Sequence, residues 1–231
     1  MISLSDPGFR WGYGLFETLV VQEGQVQFSD WHWQSLCDAA DVLGLDLPDQ
    51  RPTIGEHFKN GIWRWFLTPT GLYDFYEEGI ASVPESYSLS ISPLQVDSRS
   101  WEARFKTLSY LQRYQAREEA KTEEVIMLNE RGEVASASMA NLFVIDHDMI
   151  KTPPLDSGCR AGVIRRWIME QTIVPVQEVV LDPAEIRKAS ACFVSNSRIG
   201  ICSAFFEGEE QSTTHPIILQ LKQALSDEIR G

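Results

Sequence analysis

Lys106 is the residue whose setting first suggests chemistry. It follows Phe105 in a short strand-like run and opens the string Lys106-Thr107-Leu108-Ser109-Tyr110-Leu111. A lysine attacks a carbonyl carbon only as the neutral amine, and burial against an apolar or cationic wall favours that form. Spacing alone makes Lys106 a solvated surface charge. Other reactive types are scattered. Four cysteines (Cys37, Cys159, Cys192, Cys202) and four histidines (His32, His57, His147, His215) form no C-x-x-C or H-x-x-x-H pair, so no metal is expected. Cys37 and Cys192 sit in apolar contexts and read as small core residues, as Cys202 also can. His32 and His147 read as helix or loop surface residues. No G-x-S-x-G elbow is present. Arg160, Arg165 and Arg166 form the richest basic cluster, enough for one small anion but not for a duplex.

The elements that must position these residues can be read from periodicity. GLFETLVVQEGQVQF predicts two strands joined by a turn at Glu23-Gly24. Ser29 or Asp30 is expected to cap a helix whose buried face carries Leu36, Ala39, Ala40 and Leu43, stopped by Gly44 and Pro48. A second helix is expected around 52–60, then strands at 62–68 and 87–92. In the first of these, Trp63 and Trp65 alternate with Ile62 and Phe66, which predicts a core face and an opposite face suited to an interface. SPLQVDSRSWE is polar and aperiodic and reads as a linker. Beyond it the pattern predicts a helix over 111–121 and a strand over 125–128. A turn at 129–132 with Gly132 follows, then strands at 133–138 and 141–145 and an amphipathic helix over 161–171. Asp182-Pro183-Ala184-Glu185 is a capping box. A strand at 191–195 and a closing helix at 215–229 complete the reading. Strands and helices mix in both halves, which predicts an α+β fold with domains at 1–94 and 104–231 and a linker at 95–103.

Composition agrees with a globular chain. Of 231 residues, 43% are hydrophobic and 23% charged. Lysines and arginines total 20 against 33 acidic residues, a net charge of −13, which argues against a nucleic-acid partner. No apolar run approaches the roughly 20 residues of a membrane span. MISLSDPGFR lacks the basic and apolar regions of a signal peptide, so a cytoplasmic location is the expectation.

Several segments, in order along the chain, resemble class IV (fold type IV) pyridoxal-phosphate enzymes. WGYGLFETLVVQEGQVQF (11–28) is similar to the family's "yGdGvFEt" hairpin. The Lys106–Leu111 string is similar to its cofactor-lysine region. IMLNERGEVASASMANLFVI (126–145) resembles its "lN..G.v.E....NlF" hairpin. AGVIRR (161–166) resembles its phosphate-binding helix start, and FVSNSRIGI (193–201) its late "NS" loop. The resemblance implies a two-domain architecture like that of D-amino-acid aminotransferases, pyridoxal 5'-phosphate held between the domains, and a homodimer. It assigns Lys106 to the covalent bond with the cofactor aldehyde and to proton transfer at the substrate α-carbon. Tyr110 is assigned to the phenolic oxygen. Gly162, Val163 and Ile164 are assigned to the phosphate, with Asn196 and Ser197 as further cofactor contacts.

The chain also departs from the family. The glutamate expected five residues before Asn141, which holds the pyridine nitrogen protonated, is Ser136. Glu133 lies three residues further back, in a turn. The phosphate-contacting arginine three residues after the helix histidine is Ser35. The aspartate between the two glycines is Tyr13, and the arginine of a "tRG" motif is missing from Thr68-Pro69-Thr70-Gly71. A serine cannot hold a pyridinium as a carboxylate does, and transamination leans on that electron sink more than elimination does. Arg165 or Arg160 could replace the missing phosphate contact, and Arg104 or Arg198 could meet a substrate carboxylate. Otherwise Arg104 and Arg198 read as surface charges or salt-bridge partners. Three readings follow. One is a lyase resembling 4-amino-4-deoxychorismate lyase, splitting pyruvate from an aminated chorismate and leaving p-aminobenzoate for folate synthesis. The second is an aminotransferase for a branched-chain or D-amino acid. The third is a family member that has lost catalysis and acts as a binding or structural dimer. Each enzymatic reading implies a small anionic substrate.

Overall fold

A computed structural model describes residues 3–171, 173–209 and 211–230. The chain forms two compact units, one made of the residues up to Ser82 with Phe105–Tyr110, the other of Val83–Arg104 with the residues from Leu111 onward.

The first unit starts with a short helix, α1 (Pro7–Trp11), begun by Asp6, whose carboxylate accepts from the Gly8 amide. Strand β1 (Leu15–Gln22) turns through Glu23 and Gly24, both at positive φ, into β2 (Gln25–Val26). Helix α2 (Ser29–Leu43) follows, then β3 (Gly61–Thr68) and β4 (Gly71–Glu78). The four strands form an antiparallel sheet in the order β2-β1-β3-β4. Period-two burial puts Leu15, Leu19 and Val21 of β1 and Trp63, Trp65 and Leu67 of β3 on one face, where they meet Leu36, Ala39 and Ala40 of α2. Each fully buried leucine contributes about 2 kcal/mol. The Trp63 and Trp65 rings meet edge to face at 5.1 Å.

The second unit holds β5 (Ser86–Val96), α3 (Trp101–Arg104), α4 (Leu111–Glu118), β6 (Glu124–Asn129), β7 (Val134–Ala137), β8 (Asn141–Asp146) and β9 (Met149–Thr152). After these come α5 (Val163–Glu170), β10 (Val176–Glu178), α6 (Pro183–Lys188), β11 (Ala191–Asn196), β12 (Gly200–Phe206) and α7 (Pro216–Arg230). Eight strands make one mixed sheet in the order β10-β9-β8-β11-β12-β5-β6-β7. Leu89, Ile126, Leu142, Val144, Val194 and Phe206 belong to its main core, and Phe143 and Phe193 stack at 4.8 Å.

Several expectations need correction. No helix forms at 52–60, where Pro52 and Gly55 break the run and the backbone makes only a turn from Gly55 to Phe58. Neither Ser29 nor Asp30 caps α2. Phe28, in the left-handed region, takes the cap position, and its carbonyl accepts from the His32 amide. Residues 95–103 are not a structureless linker, because β5 runs to Val96 through a register shift between Ile91 and Gln95, and α3 begins at Trp101. Pro93 lies inside that irregularity, the place in a strand where a proline is tolerated. The contact units therefore divide at Ser82 and return Phe105–Tyr110 to the first unit, rather than following 1–94 and 104–231.

Candidate functional site

Lys106 lies in the first unit on an extended segment that pairs with the start of β1. The Phe16 amide donates to the Lys106 carbonyl at 2.8 Å, the Leu108 amide to the Gly14 carbonyl at 2.9 Å, and Leu15 bridges to Thr107 antiparallel. Gly14 makes this approach possible. A Cβ there would stand 2.5 Å from the Leu67 carbonyl oxygen and 2.7 Å from Leu108 Cδ1. Tyr13, where the family has aspartate, donates its hydroxyl to the Leu43 carbonyl at 2.6 Å and closes the end of α2.

The amine of Lys106 stands 3.4 Å from Glu17 Oε2 and 4.9 Å from the centre of the Phe16 ring. Its side chain is 28% exposed, whereas that of Glu17 is 4% exposed. His32 Nδ1 meets the same Oε2 at 2.7 Å, and the Ser35 hydroxyl donates to Oε1 at 3.2 Å. Burial alone raises the Glu17 pKa, but the Lys106 charge and the His32 and Ser35 contacts outweigh it and hold the carboxyl down to about 2. Glu17 is therefore ionised at neutral pH, and an ionised carboxylate only accepts, so His32 presents an Nδ1–H to it. His32 is a buried residue of α2, not the surface residue expected. His147 is exposed and paired with Asp146. Tyr110 places its ring edge-on to Phe16 at 5.2 Å. The Thr107 hydroxyl, next to the lysine, is buried without a hydrogen-bond partner.

In the second unit, Gly162 precedes α5 with extended backbone, and its carbonyl accepts from the Arg166 amide. The amides of Val163, Ile164 and Arg165 fall in the first turn, where no intrahelical carbonyl can reach them. The side chains of Val163 and Ile164 are buried. Gly162 is needed for a neighbour: a Cβ would lie 2.3 Å from Asn141 Oδ1, while Asn141 Nδ2 donates to the Arg160 carbonyl at 2.8 Å. Asn141 thus sets the entry into the helix. Asn196 donates to the Met139 carbonyl at 3.0 Å and accepts from the Arg198 and Ile199 amides, so its side chain organises the β11–β12 turn beside Ser197. Ser195 Oγ, one residue earlier, is buried and unpartnered.

The arginine cluster does not converge. Arg165 turns to Glu178 and the Pro153 carbonyl, Arg166 to Glu170, and Arg160 to the Glu102 carbonyl. Ser136 is buried on β7. It accepts from Arg113 Nη1 at 3.0 Å and donates to the Ala137 carbonyl at 2.9 Å. Arg113 of α4 is itself buried and also reaches the Ala137 and Ser138 carbonyls. Glu133 stays in its turn, accepting from Arg131, Asn129 and Ser157. Burial pushes the Cys192 thiol up to about 12 and Cys159 to about 11, which suits core residues, whereas Cys37 is only half-buried.

Glu17, His32 and Arg113 escaped sequence reasoning. The first two left a readable signal. Glu17 shares its strand face with Leu15, Leu19 and Val21, and His32 shares its helix face with Leu36, Ala39 and Ala40. A titratable residue inside an apolar repeat marks a buried polar contact.

The profile of amino-transferase class IV matches residues 75–204, more than half of the chain. An aminodeoxychorismate lyase from Bacillus subtilis is 27% identical over 199 residues, covering 74% of this chain and 68% of the relative. The crystal structure of 4-amino-4-deoxychorismate lyase from Pseudomonas aeruginosa superposes with a TM-score of 0.84 at 20% identity, covering 99% of this chain and 96% of that one. A branched-chain aminotransferase from Thermoproteus uzoniensis, solved with norvaline, gives 0.86 at 20% identity, covering 99% and 89%. The chain belongs to the amino-transferase class IV family, whose cofactor is pyridoxal 5'-phosphate.

Proposed function

We propose that this protein is a pyridoxal-phosphate lyase that splits pyruvate from an aminated chorismate and leaves p-aminobenzoate, a step of folate synthesis, and that it works as a homodimer. The observation that carries the choice of elimination is the serine at 136, which accepts from the buried Arg113 in place of a carboxylate. The relationship to the Bacillus subtilis lyase is compatible with the same choice.

Each unit by itself carries groups of a kind this cofactor takes. A part-buried amine, Lys106, stands beside an ionised carboxylate. The first-turn amides of α5 suit a phosphate dianion. Ser195 Oγ is a buried hydroxyl with no protein partner. When bound, the cofactor supplies an electron sink for a carbanion next to the substrate nitrogen. Lys106 would carry it and, once displaced by substrate, move the proton at the α-carbon. Tyr110 would donate to its phenolic oxygen. Gly162, Val163, Ile164 and Ser197 would hold the phosphate, with Asn141 and Asn196 shaping the turns that present them. Ser136, backed by the Arg113 cation, has no negative charge with which to keep a pyridine nitrogen protonated. A ring held that way is a weaker sink, which handicaps a 1,3-proton shift more than the expulsion of a leaving group.

The test is to incubate the protein with aminodeoxychorismate and follow pyruvate and p-aminobenzoate. The expected result is stoichiometric release of both without an added keto acid. Keto-acid-dependent amine transfer, with conversion to the pyridoxamine form by a branched-chain or D-amino acid, would establish the aminotransferase instead. Release of neither product by a protein that takes up no cofactor would establish a binding or structural role.

A further inference from the structure

We infer that Glu17 is the positioning residue of the Lys106 amine, a buried counter-ion fixed by His32 and Ser35 that sets where Nζ rests and how firmly it keeps its proton. The inference takes its purpose from the reading of Lys106 as the cofactor-bearing amine.

Glu17 projects from β1 into the apolar face shared with Leu15, Leu19 and Val21. A carboxylate there is tolerated only if it is paired and hydrogen-bonded. Three donors from two other segments meet that need. His32 Nδ1–H and the Lys106 ammonium share Oε2, at 2.7 and 3.4 Å, while Ser35 occupies Oε1. Rotating the carboxylate would break the bonds from α2, so the charge is held in place beside the lysine. Nζ also lies over the Phe16 ring, whose face favours a cation. The groups facing Nζ are therefore Glu17 and Phe16 from β1, His32 and Ser35 from α2 through Glu17, and Tyr110 from the lysine's own segment against Phe16.

Glu17 and Phe16 together fix where Nζ rests. Before it attacks a carbonyl, one N–H bond must break with its electron pair left on nitrogen. The proton leaves to solvent, which reaches this 28% exposed side chain, since a carboxyl held down to about 2 does not keep it at neutral pH. The place of the family's arginine, taken here by Ser35, thus has a second use: its hydroxyl holds the carboxylate that controls the lysine.

The experiment is competitive acetylation of the full chain, freed of cofactor, with acetic anhydride over a pH series. Labelling is read peptide by peptide, with the exposed Lys121 and Lys188 as internal references. Glu17→Gln should move the Lys106 midpoint down by at least one pH unit, so that labelling below both midpoints is about tenfold faster or more. His32→Asn should move it the same way by less, and it decides the matter should Glu17→Gln not fold. An unchanged Lys106 midpoint overturns the inference, including when the melting temperature falls, since a purely structural glutamate would lower stability alone. Pyridoxal phosphate titration in parallel separates the two readings. A shifted midpoint in a protein that never takes up the cofactor refutes Lys106 as its carrier and leaves the counter-ion standing. Normal uptake with an unchanged midpoint refutes the counter-ion alone.

Discussion

At the residue scale the controlling feature is a carboxylate in an apolar wall. Glu17 is held near a pKa of about 2, against 4.5 for a free glutamate. Its folded value is depressed, so the stability it contributes is complete above the free value and is lost as pH falls through the folded one. Across that window the wild type should lose about 3 kcal/mol more than Glu17→Gln, a figure that follows from the size of the depression. Denaturant unfolding of both proteins at pH 5 and at pH 2 measures it, and parallel losses would remove the ion pair as the cause. Motif resemblance singled out Lys106, Tyr110 and Gly162 as candidates. A contact was illegible where the partner came from another element. Nothing near Glu17 in the chain announces His32, and nothing near Ser136 announces Arg113.

At the element scale, Gly14 decides whether the lysine segment can lie where it does, while a cap in the second unit secures only its own helix. Gly14→Ala would drive a Cβ into the Leu67 carbonyl and Leu108. We expect a destabilisation of about 1–3 kcal/mol, the range for overpacking, together with weaker cofactor uptake because Phe105–Tyr110 is displaced. Equilibrium unfolding and a spectral titration check the two effects. Asp182→Ala removes a complete capping box from α6, in which Asp182 accepts from the Ala184 and Glu185 amides and Glu185 reaches back to the Asp182 amide. It should cost about 1 kcal/mol and leave cofactor uptake unchanged, which a melting curve with and without cofactor resolves. Periodicity made β1, β3, α2, α5 and α7 readable. It failed for β4, where the sequence GLYDFYEE follows an edge strand that is mostly half-buried or exposed and so carries no strong apolar alternation. It failed again for the far end of β5, whose proline and polar residues look like a linker because the strand is irregular there.

At the scale of the whole molecule, the strand order of the eight-stranded sheet could not be read from the chain, because parallel pairs such as β12 with β5 and β5 with β6 join segments far apart in sequence. The family resemblance supplied what periodicity could not. Cofactor binding to the folded chain alone should stabilise it by about 2.7 kcal/mol at a hundredfold excess over the Kd, and the melting temperature should rise with cofactor concentration. Among the described residues no helix is long and apolar enough to cross a membrane. Sedimentation equilibrium should give twice the chain mass if the dimer forms. The most direct test of the account is chemical fixation of the cofactor. Pyridoxal phosphate added to the full chain should produce a visible absorption band, and sodium borohydride should then leave the cofactor's mass on the peptide containing Lys106, with band and mass both absent from Lys106→Ala. A colourless protein, or the mass on a different lysine, would contradict it.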